Sequence, residues 1–432
     1  MLVNFSVQNF RSIKDKITLS FEATKSKDLE DYYIIEPREG VRLLKLGMIY
    51  GANASGKTNI LSALDFLGRF ILNPKEKKTE IIDIKPFAYD YSKNSVFNIE
   101  FYYDTIKYLY ELELNDEYVV SELLYNFTPN KSLVYKRNTD SKKKITNIEF
   151  GNKLTIKKTH KESLEANTLW NNTVLGGYLK TNIESKELQD VIYWCNVVLS
   201  PMIKHDSDLS EFVFDGLYSD DLSKDTILKV LRKADFNILD IHVDKKEYEI
   251  TDELLNYMKG SLSNSRFDEI KDKEKVETNQ VYFEHDMGGG EKLQIPLYDE
   301  SVGTQRYYEF GGVLDRLIRK NRIFCIDELE SSLHPDLLKH FLLSFLVNSK
   351  QSQLIVTTHL RELLMEQDIF RKDAIWFTEK KEDGSTDLYS LDDFDTSVIR
   401  KSSSIYNAYK AGKLGATPNL SDYYLDIDYG EE

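Results

Sequence analysis

Eight consecutive residues, Gly51-Ala52-Asn53-Ala54-Ser55-Gly56-Lys57-Thr58, hold the densest chemistry in the chain. They complete the pattern G-x-x-x-x-G-K-[ST], whose order has a physical reason. Glycines let backbone N–H groups close around phosphate oxygens, and the start of a following helix adds its positive end. Lys57 reaches the β/γ oxygens, and the Thr58 hydroxyl suits Mg²⁺, a cation that prefers oxygen ligands. Far downstream, the apolar run Ile323-Phe324-Cys325-Ile326 ends in Asp327-Glu328. A carboxylate there can hold Mg²⁺ through water, and its neighbour can polarise an attacking water. His359, closing Thr357-Thr358-His359 after another apolar run, is a candidate for stabilising charge on the transferring γ-phosphoryl group. The combination predicts a nucleoside triphosphate site.

Each of these residues needs an element to hold it. Leu43 to Tyr50 reads as a strand feeding the loop, and Asn59 to Leu72 as a helix with Ile60, Leu61, Leu64, Leu67, Phe70 and Ile71 on one face. Residues 97–157 give short β runs separated by Asn115-Asp116 and Pro129-Asn130, the pattern of an antiparallel meander. From about residue 160 the texture turns helical, clearest over Leu188 to Leu199 and Asp225 to Ala234. A hairpin is predicted around Gly288-Gly289-Gly290, which reads as a turn because no helix follows it. Then come a helix from about Thr304 to Lys320, the Asp-Glu strand, a helix over Asp336 to Asn348, and a strand over Leu354 to Thr357.

Composition sets limits. The chain has 432 residues, 41% hydrophobic and 30% charged, with a net charge of −15. No run approaches the ~18 apolar residues that span a bilayer, and the N-terminus has no secretory pattern. Two cysteines, Cys195 and Cys325, without a C-x-x-C, predict a reducing cytoplasm, with Cys325 a small core residue. The negative charge disfavours a protein that wraps nucleic acid over its whole surface. Locally the sign reverses: ten basic residues lie between Lys131 and Lys161, against Asp140 and Glu149. Two readings stay open for Lys136, Arg137, Lys142, Lys143, Lys144, Lys157 and Lys158. They are the solvated turns of the meander, or a polyanion contact such as nucleic acid.

Further motifs narrow the picture. Ser301-Val302-Gly303-Thr304-Gln305-Arg306 precedes the helix leading to the Asp-Glu strand, and Leu329-Glu330-Ser331-Ser332-Leu333-His334-Pro335 follows it. This order resembles ABC-type ATPases: phosphate loop, signature loop, Walker B pair, D-loop, switch histidine. The opening Phe5-Ser6-Val7-Gln8-Asn9-Phe10-Arg11-Ser12 resembles the SMC/RecF/OLD branch. The forms S-x-G-T-x-R and D-E-x-x-x-S-L-H-P, with the ending Tyr409 to Pro418, resemble the OLD-like ATPases of abortive-infection and restriction-linked defence loci.

That resemblance implies an α/β fold: a P-loop ATPase head of mixed sheet plus β-meander lobe, with a helical insertion. It implies ATP and Mg²⁺ as ligands, with Gly51 to Thr58, Asn59 and Arg11 on the nucleotide and Thr58 and Asp327 on the metal. It implies that Lys57, Glu328 and His359 are catalytic. Ser301, Gly303 and Thr304 would complete the site of a second copy, with Ser332 and His334 in the D-loop, so a homodimer is expected. The expected divisions are 1–158 (first ATPase lobe), 159–279 (helical insertion), 280–385 (second lobe) and 386–432 (C-terminal extension). The implied role is sensor ATPase of an antiphage system controlling a separate effector, such as a nuclease or toxin. A RecF-like DNA-maintenance ATPase is the main rival, and a transporter's nucleotide-binding subunit a third.

Two departures stand out. No glutamine occurs between Gln8 and Gln189, so the usual Mg²⁺-completing glutamine is missing; a group near Pro86-Phe87-Ala88-Tyr89-Asp90, or water alone, must take its role, which predicts slow hydrolysis. Asp393-Phe394-Asp395 and Asp426-Ile427-Asp428 are D-x-D strings like those of TOPRIM nucleases, with too little chain around them for that domain.

Overall fold

The computed structural model describes residues 1–152, 154, 156–251, 275–366, 368–394 and 405–417. Lys153, Asp395 and the 426–428 string lie outside the described residues. The chain divides into two units, one of residues 1–205, 322–329 and 351–432, the other of residues 206–321 and 330–350.

The first unit holds two large sheets. A five-stranded sheet runs Ile323–Ile326, Gln353–Thr358, Leu46–Gly51, Ile375–Lys380, Thr386–Ser390, parallel except for the last strand. Its inner strands Leu46–Gly51 and Gln353–Thr358 are buried at every position, as strands covered on both faces must be. Register aligns their carboxyl ends: Tyr50 pairs with Thr358 and with Phe377, and Gly51 with Thr378. The helix Lys57–Leu72 buries the stripe Ile60, Leu61, Leu64, Leu67, Phe70 and Ile71 expected from its spacing. A seven-stranded antiparallel sheet contains the meander, ordered Ile145–Phe150, Lys131–Asp140, Val119–Phe127, Ile106–Leu114, Ser95–Tyr103, Leu2–Gln8, Ile17–Ser20.

The second unit packs the helices Ser210–Tyr218, Lys224–Lys233, Val302–Arg319 and Pro335–Asn348 with a three-stranded sheet of Ile238–Glu249, Lys275–Gly288 and Glu291–Pro296. Gly288, Gly289 and Gly290 all have positive φ, so the triple glycine is the turn that the sequence suggests.

The insertion differs from expectation in composition and boundary. The helices Lys158–Asn167, Val174–Tyr178 and Lys186–Tyr193 belong to the first unit, and the strand Ile238–Glu249 makes the remainder mixed rather than helical. That strand carries Lys245, Lys246, Glu247 and Glu249. Its period-2 signal is therefore masked until its partner Lys275–Gly288 is known. Both cysteines are buried, and burial pushes the Cys195 thiol up to about 12. No helix among the described residues is long and apolar enough to cross a membrane.

Candidate functional site

The strand Leu46–Gly51 runs into the loop, and the helix Lys57–Leu72 leaves it. Ala54 and Gly56 take left-handed conformations (φ 60° and 104°) between them, bending the chain around a concavity. Lys57 is buried, and its Nζ donates to the carbonyls of Gly51 and Ala52 at 3.0 and 3.1 Å. Thr58 and Asn53 stay exposed at the mouth of an open cleft of about 650 Å³. That cleft is lined by Asn53, Ala54, Gly56, Lys57, Thr58, Asn59, Glu328 and His359.

Asp327 is 3% exposed at the end of strand Ile323–Ile326, where its N–H donates to the Ile203 carbonyl at 2.8 Å. Its carboxylate accepts from the Thr58 hydroxyl at 3.1 and 3.0 Å and from Thr357 Oγ1 at 2.7 Å. Thr357 in turn accepts from the Glu328 N–H at 2.8 Å, and Glu328 is left-handed at φ 49°. The sharp bend turns the Glu328 side chain to His359, whose Nε2 lies 3.8 Å from Glu328 Oε1. His359 Nδ1 lies 3.4 Å from Lys57 Nζ. Phosphate loop, Walker B pair and His359 are thus one cluster.

A Thr58 hydroxyl beside the Asp327 carboxylate is a hard-oxygen pair, which fits Mg²⁺ held by a single carboxylate with waters and phosphate oxygens making up the shell. Among the described residues no cluster of three His, Cys, Asp or Glu side chains forms a self-sufficient metal cage.

Arg11 joins the helix side of the loop. Its guanidinium donates to Ser62 Oγ at 3.1 Å and reaches Asn59 Oδ1 at 3.4 Å, and its backbone is left-handed at φ 51°. The Pro86 to Asp90 segment sits beside it: the Arg11 N–H donates to the Lys85 carbonyl at 2.7 Å, and Asn9 Oδ1 accepts from the Phe87 N–H at 3.0 Å.

The signature and D-loop residues lie in the second unit. Ser301 caps the helix Val302–Arg319, accepting from the Thr304 N–H at 3.1 Å, and Ser301 and Val302 are exposed. A Cβ on Gly303 would stand 3.6 Å from the Ser332 carbonyl, so the two loops adjoin. His334 caps the helix Pro335–Asn348, its Nδ1 accepting from the Asp336 N–H at 3.3 Å.

The basic segment divides. Lys142, Lys143 and Lys144 form an exposed turn, and Lys157 and Lys158 are exposed, with Lys136 half-buried. Arg137 does not belong with them. It is 0% exposed, donates to the carbonyls of Leu169 and Trp170 and to Thr146, and lies 4.0 Å from the buried Glu122. It cannot touch a polyanion; it is a core charge. Its place follows from strand alternation, which turns it to the opposite face from Lys136.

Sequence reasoning gave no role to Ser12, Thr357, Thr378 and Thr386; Thr357 bonds the Walker B pair, Thr378 and Thr386 bond the loop at Tyr50 and Ser55, and Ser12 bonds Thr386 and Asn59. Ser12 and Thr357 stand inside motifs quoted for their neighbours Arg11 and His359. Thr378 and Thr386 carry no local signal.

The family model described as AAA ATPase domain matches residues 1–363. No curated protein matches the sequence. Among solved structures, an SMC head bound to the C-winged helix domain of ScpA is 13% identical, covering 90% of this chain and 97% of that one, with TM-score 0.47. An SMC head domain from Thermotoga maritima is 11% identical, covering 90% and 98%, with TM-score 0.39. An SMC head with an extended coiled coil, bound to the C-terminal domain of ScpA derived from Pyrococcus furiosus, is 12% identical, covering 96% and 98%, with TM-score 0.40.

Proposed function

The chain belongs to the AAA ATPase domain family, and from that premise we propose a cytoplasmic ATPase that hydrolyses ATP at sites completed between two copies of itself. The observation that carries the ATPase reading is the buried Asp327 carboxylate, bonded to Thr58 at the helix start and followed by Glu328, which lies 3.8 Å from His359 in the cleft lined by the phosphate loop. Backbone N–H groups of the loop and the Lys57 ammonium bind the β/γ phosphate oxygens. Thr58 and Asp327 would hold Mg²⁺, which when bound would offset negative charge on those oxygens. Glu328 orients the attacking water and takes its proton, and His359 donates to the γ-phosphate oxygens as charge builds there.

The homodimer reading rests on one phosphate loop and one signature per chain, and on the exposed Ser301 end of the helix Val302–Arg319. Ser301, Gly303 and Thr304 of one copy would meet the nucleotide of the other. The defence reading rests on the S-x-G-T-x-R and D-E-x-x-x-S-L-H-P resemblance: ATP-dependent closure would control a separate nuclease or toxin.

Phosphate release with MgATP tests the core claim. The protein should release phosphate, and Lys57→Ala and Glu328→Gln should not; equal rates in all three would defeat it. A nuclease, toxin or restriction gene beside this one would support the defence role, and a permease gene would count against it.

A further inference from the structure

The family match ends at residue 363, yet two strands of the five-stranded sheet, Ile375–Lys380 and Thr386–Ser390, come later. This hairpin backs the phosphate loop with two buried threonines. Thr378 Oγ1 donates to the Tyr50 carbonyl at 3.2 Å, so the Ser55 hydroxyl, 2.6 Å away, donates to it. Thr386 Oγ1 donates to the Ser55 carbonyl at 2.9 Å. The Ser12 hydroxyl, 2.7 Å from Thr386 Oγ1, must then donate to it, and Ser12 accepts from Asn59 Nδ2 at 2.6 Å. The result is a directed chain, Asn59 to Ser12 to Thr386 to the Ser55 carbonyl, in which each hydroxyl donates once and accepts once. The backbone adds a bond from the Thr386 N–H to the Ser12 carbonyl at 2.8 Å.

The same contacts explain the loop's glycines. A Cβ on Gly56 would lie 2.0 Å from Thr386 Oγ1, and one on Gly51 would lie 2.3 Å from Thr378 Oγ1. Gly56, at φ 104°, also needs glycine for its backbone. Close approach to the hairpin, as well as to phosphate, therefore demands these glycines.

We infer that Thr386 is a positioning residue of the nucleotide site, which makes the 375–390 hairpin part of that site although it lies beyond the family match. By holding the Ser55 carbonyl it fixes the peptide plane that carries the Gly56 N–H, and through Ser12 it holds the Asn59 side chain at the helix start. A loop held in its binding shape gives up less conformational freedom when ligand arrives. The inference rests on the nucleotide-binding reading above.

Thr386→Val keeps the volume and removes the hydroxyl; Thr386→Ser keeps the hydroxyl. The readouts are the Kd of a fluorescent ATP analogue with Mg²⁺, steady-state KM and kcat, and the thermal midpoint. Loss of the bond to the Ser55 carbonyl, together with the one from Ser12, should raise Kd and KM about three- to tenfold in Thr386→Val. Because the loop grips ground state and transition state alike, kcat should change little. Thr386→Ser should stay within about twofold of the unaltered protein. Ser12→Ala breaks the chain from a different element and should shift Kd the same way, so it carries the test if Thr386→Val fails to fold. Unaltered Kd and KM in the folded hydroxyl-deletion variants would overturn the inference. If the unaltered protein binds the analogue and Lys57→Ala does not, that failure belongs to this inference alone. If the unaltered protein binds none, the nucleotide reading falls and takes this inference with it.

Discussion

The Thr58 hydroxyl lies within hydrogen-bond distance of both carboxylate oxygens of Asp327, at 3.1 and 3.0 Å, although 269 residues separate the two. Thr357 fixes the same carboxylate from the neighbouring strand at 2.7 Å. Thr58 and Thr357 together aim the Asp327 carboxylate, and its charge is the property that the proposed Mg²⁺ would need. Asp327→Asn keeps the shape and loses the charge, so the Mg²⁺ concentration that half-saturates ATP binding should rise about 10- to 100-fold. A magnesium titration with an unchanged midpoint would remove Asp327 from the metal site.

Lys57 and Glu328 border one cleft but should fail differently. Lys57→Ala removes the ammonium proposed to meet the β/γ oxygens and should abolish ATP binding. Glu328→Gln removes only water activation: ATP should still bind, while phosphate release falls by about 10²- to 10⁴-fold. Such a protein should accumulate as an ATP-bound dimer, visible by size-exclusion chromatography with light scattering. Hydrolysis by Glu328→Gln at the parental rate would take Glu328 out of its role.

The parts of this site that were legible in the sequence are those whose chemistry is local. Gly51 to Thr58 forms its own loop, and Asp327-Glu328 ends its own strand, so both are placed by short-range pattern. Thr378 and Thr386 look like ordinary strand residues, and only sheet order puts their strand pair beside the loop. Arg137 failed for a related reason. Counting charge along the chain ignores strand alternation, which sent Lys136 half outward and Arg137 into the core. The long Ile238–Glu249 strand was hidden by its charges, because its outer half pairs without burial.

The proposed sharing of sites between two copies makes a prediction about mixtures. A chain carrying Lys57→Ala keeps its signature loop, and one carrying Ser301→Arg keeps its phosphate loop. Each variant alone should be inactive. Mixed, they should form heterodimers with one competent site, recovering phosphate release that tracks the heterodimer fraction. Heterodimers confirmed by differential tagging and yet inactive would favour a site built within one chain.

Arg137 and Lys142 to Lys144 should separate sharply in stability. Arg137 sits against Glu122, whose Oε1 accepts from the hydroxyls of Tyr110 and Tyr135 at 3.0 and 2.6 Å and whose Oε2 accepts from the Val174 N–H at 2.8 Å. Removing one member of a buried pair leaves the other charge without compensation, so Arg137→Met should lower unfolding free energy by about 3–5 kcal/mol. Adding Glu122→Leu should recover part of that loss, because the stranded carboxylate goes with it. Changing Lys142, Lys143 and Lys144 to Glu touches only an exposed turn and should move it by no more than about 0.5 kcal/mol. Acidity offers an independent check. Burial holds the Glu122 carboxyl above its ordinary 4.5, although Arg137 opposes the shift. The folded protein then keeps a proton that the unfolded chain has released. This contribution is full below 4.5 and is lost as pH rises through the folded value. Urea unfolding above pH 4.5 should therefore show the natural protein losing stability relative to Glu122→Gln as pH rises, and a flat difference would mean that Glu122 ionises at its ordinary value in the fold.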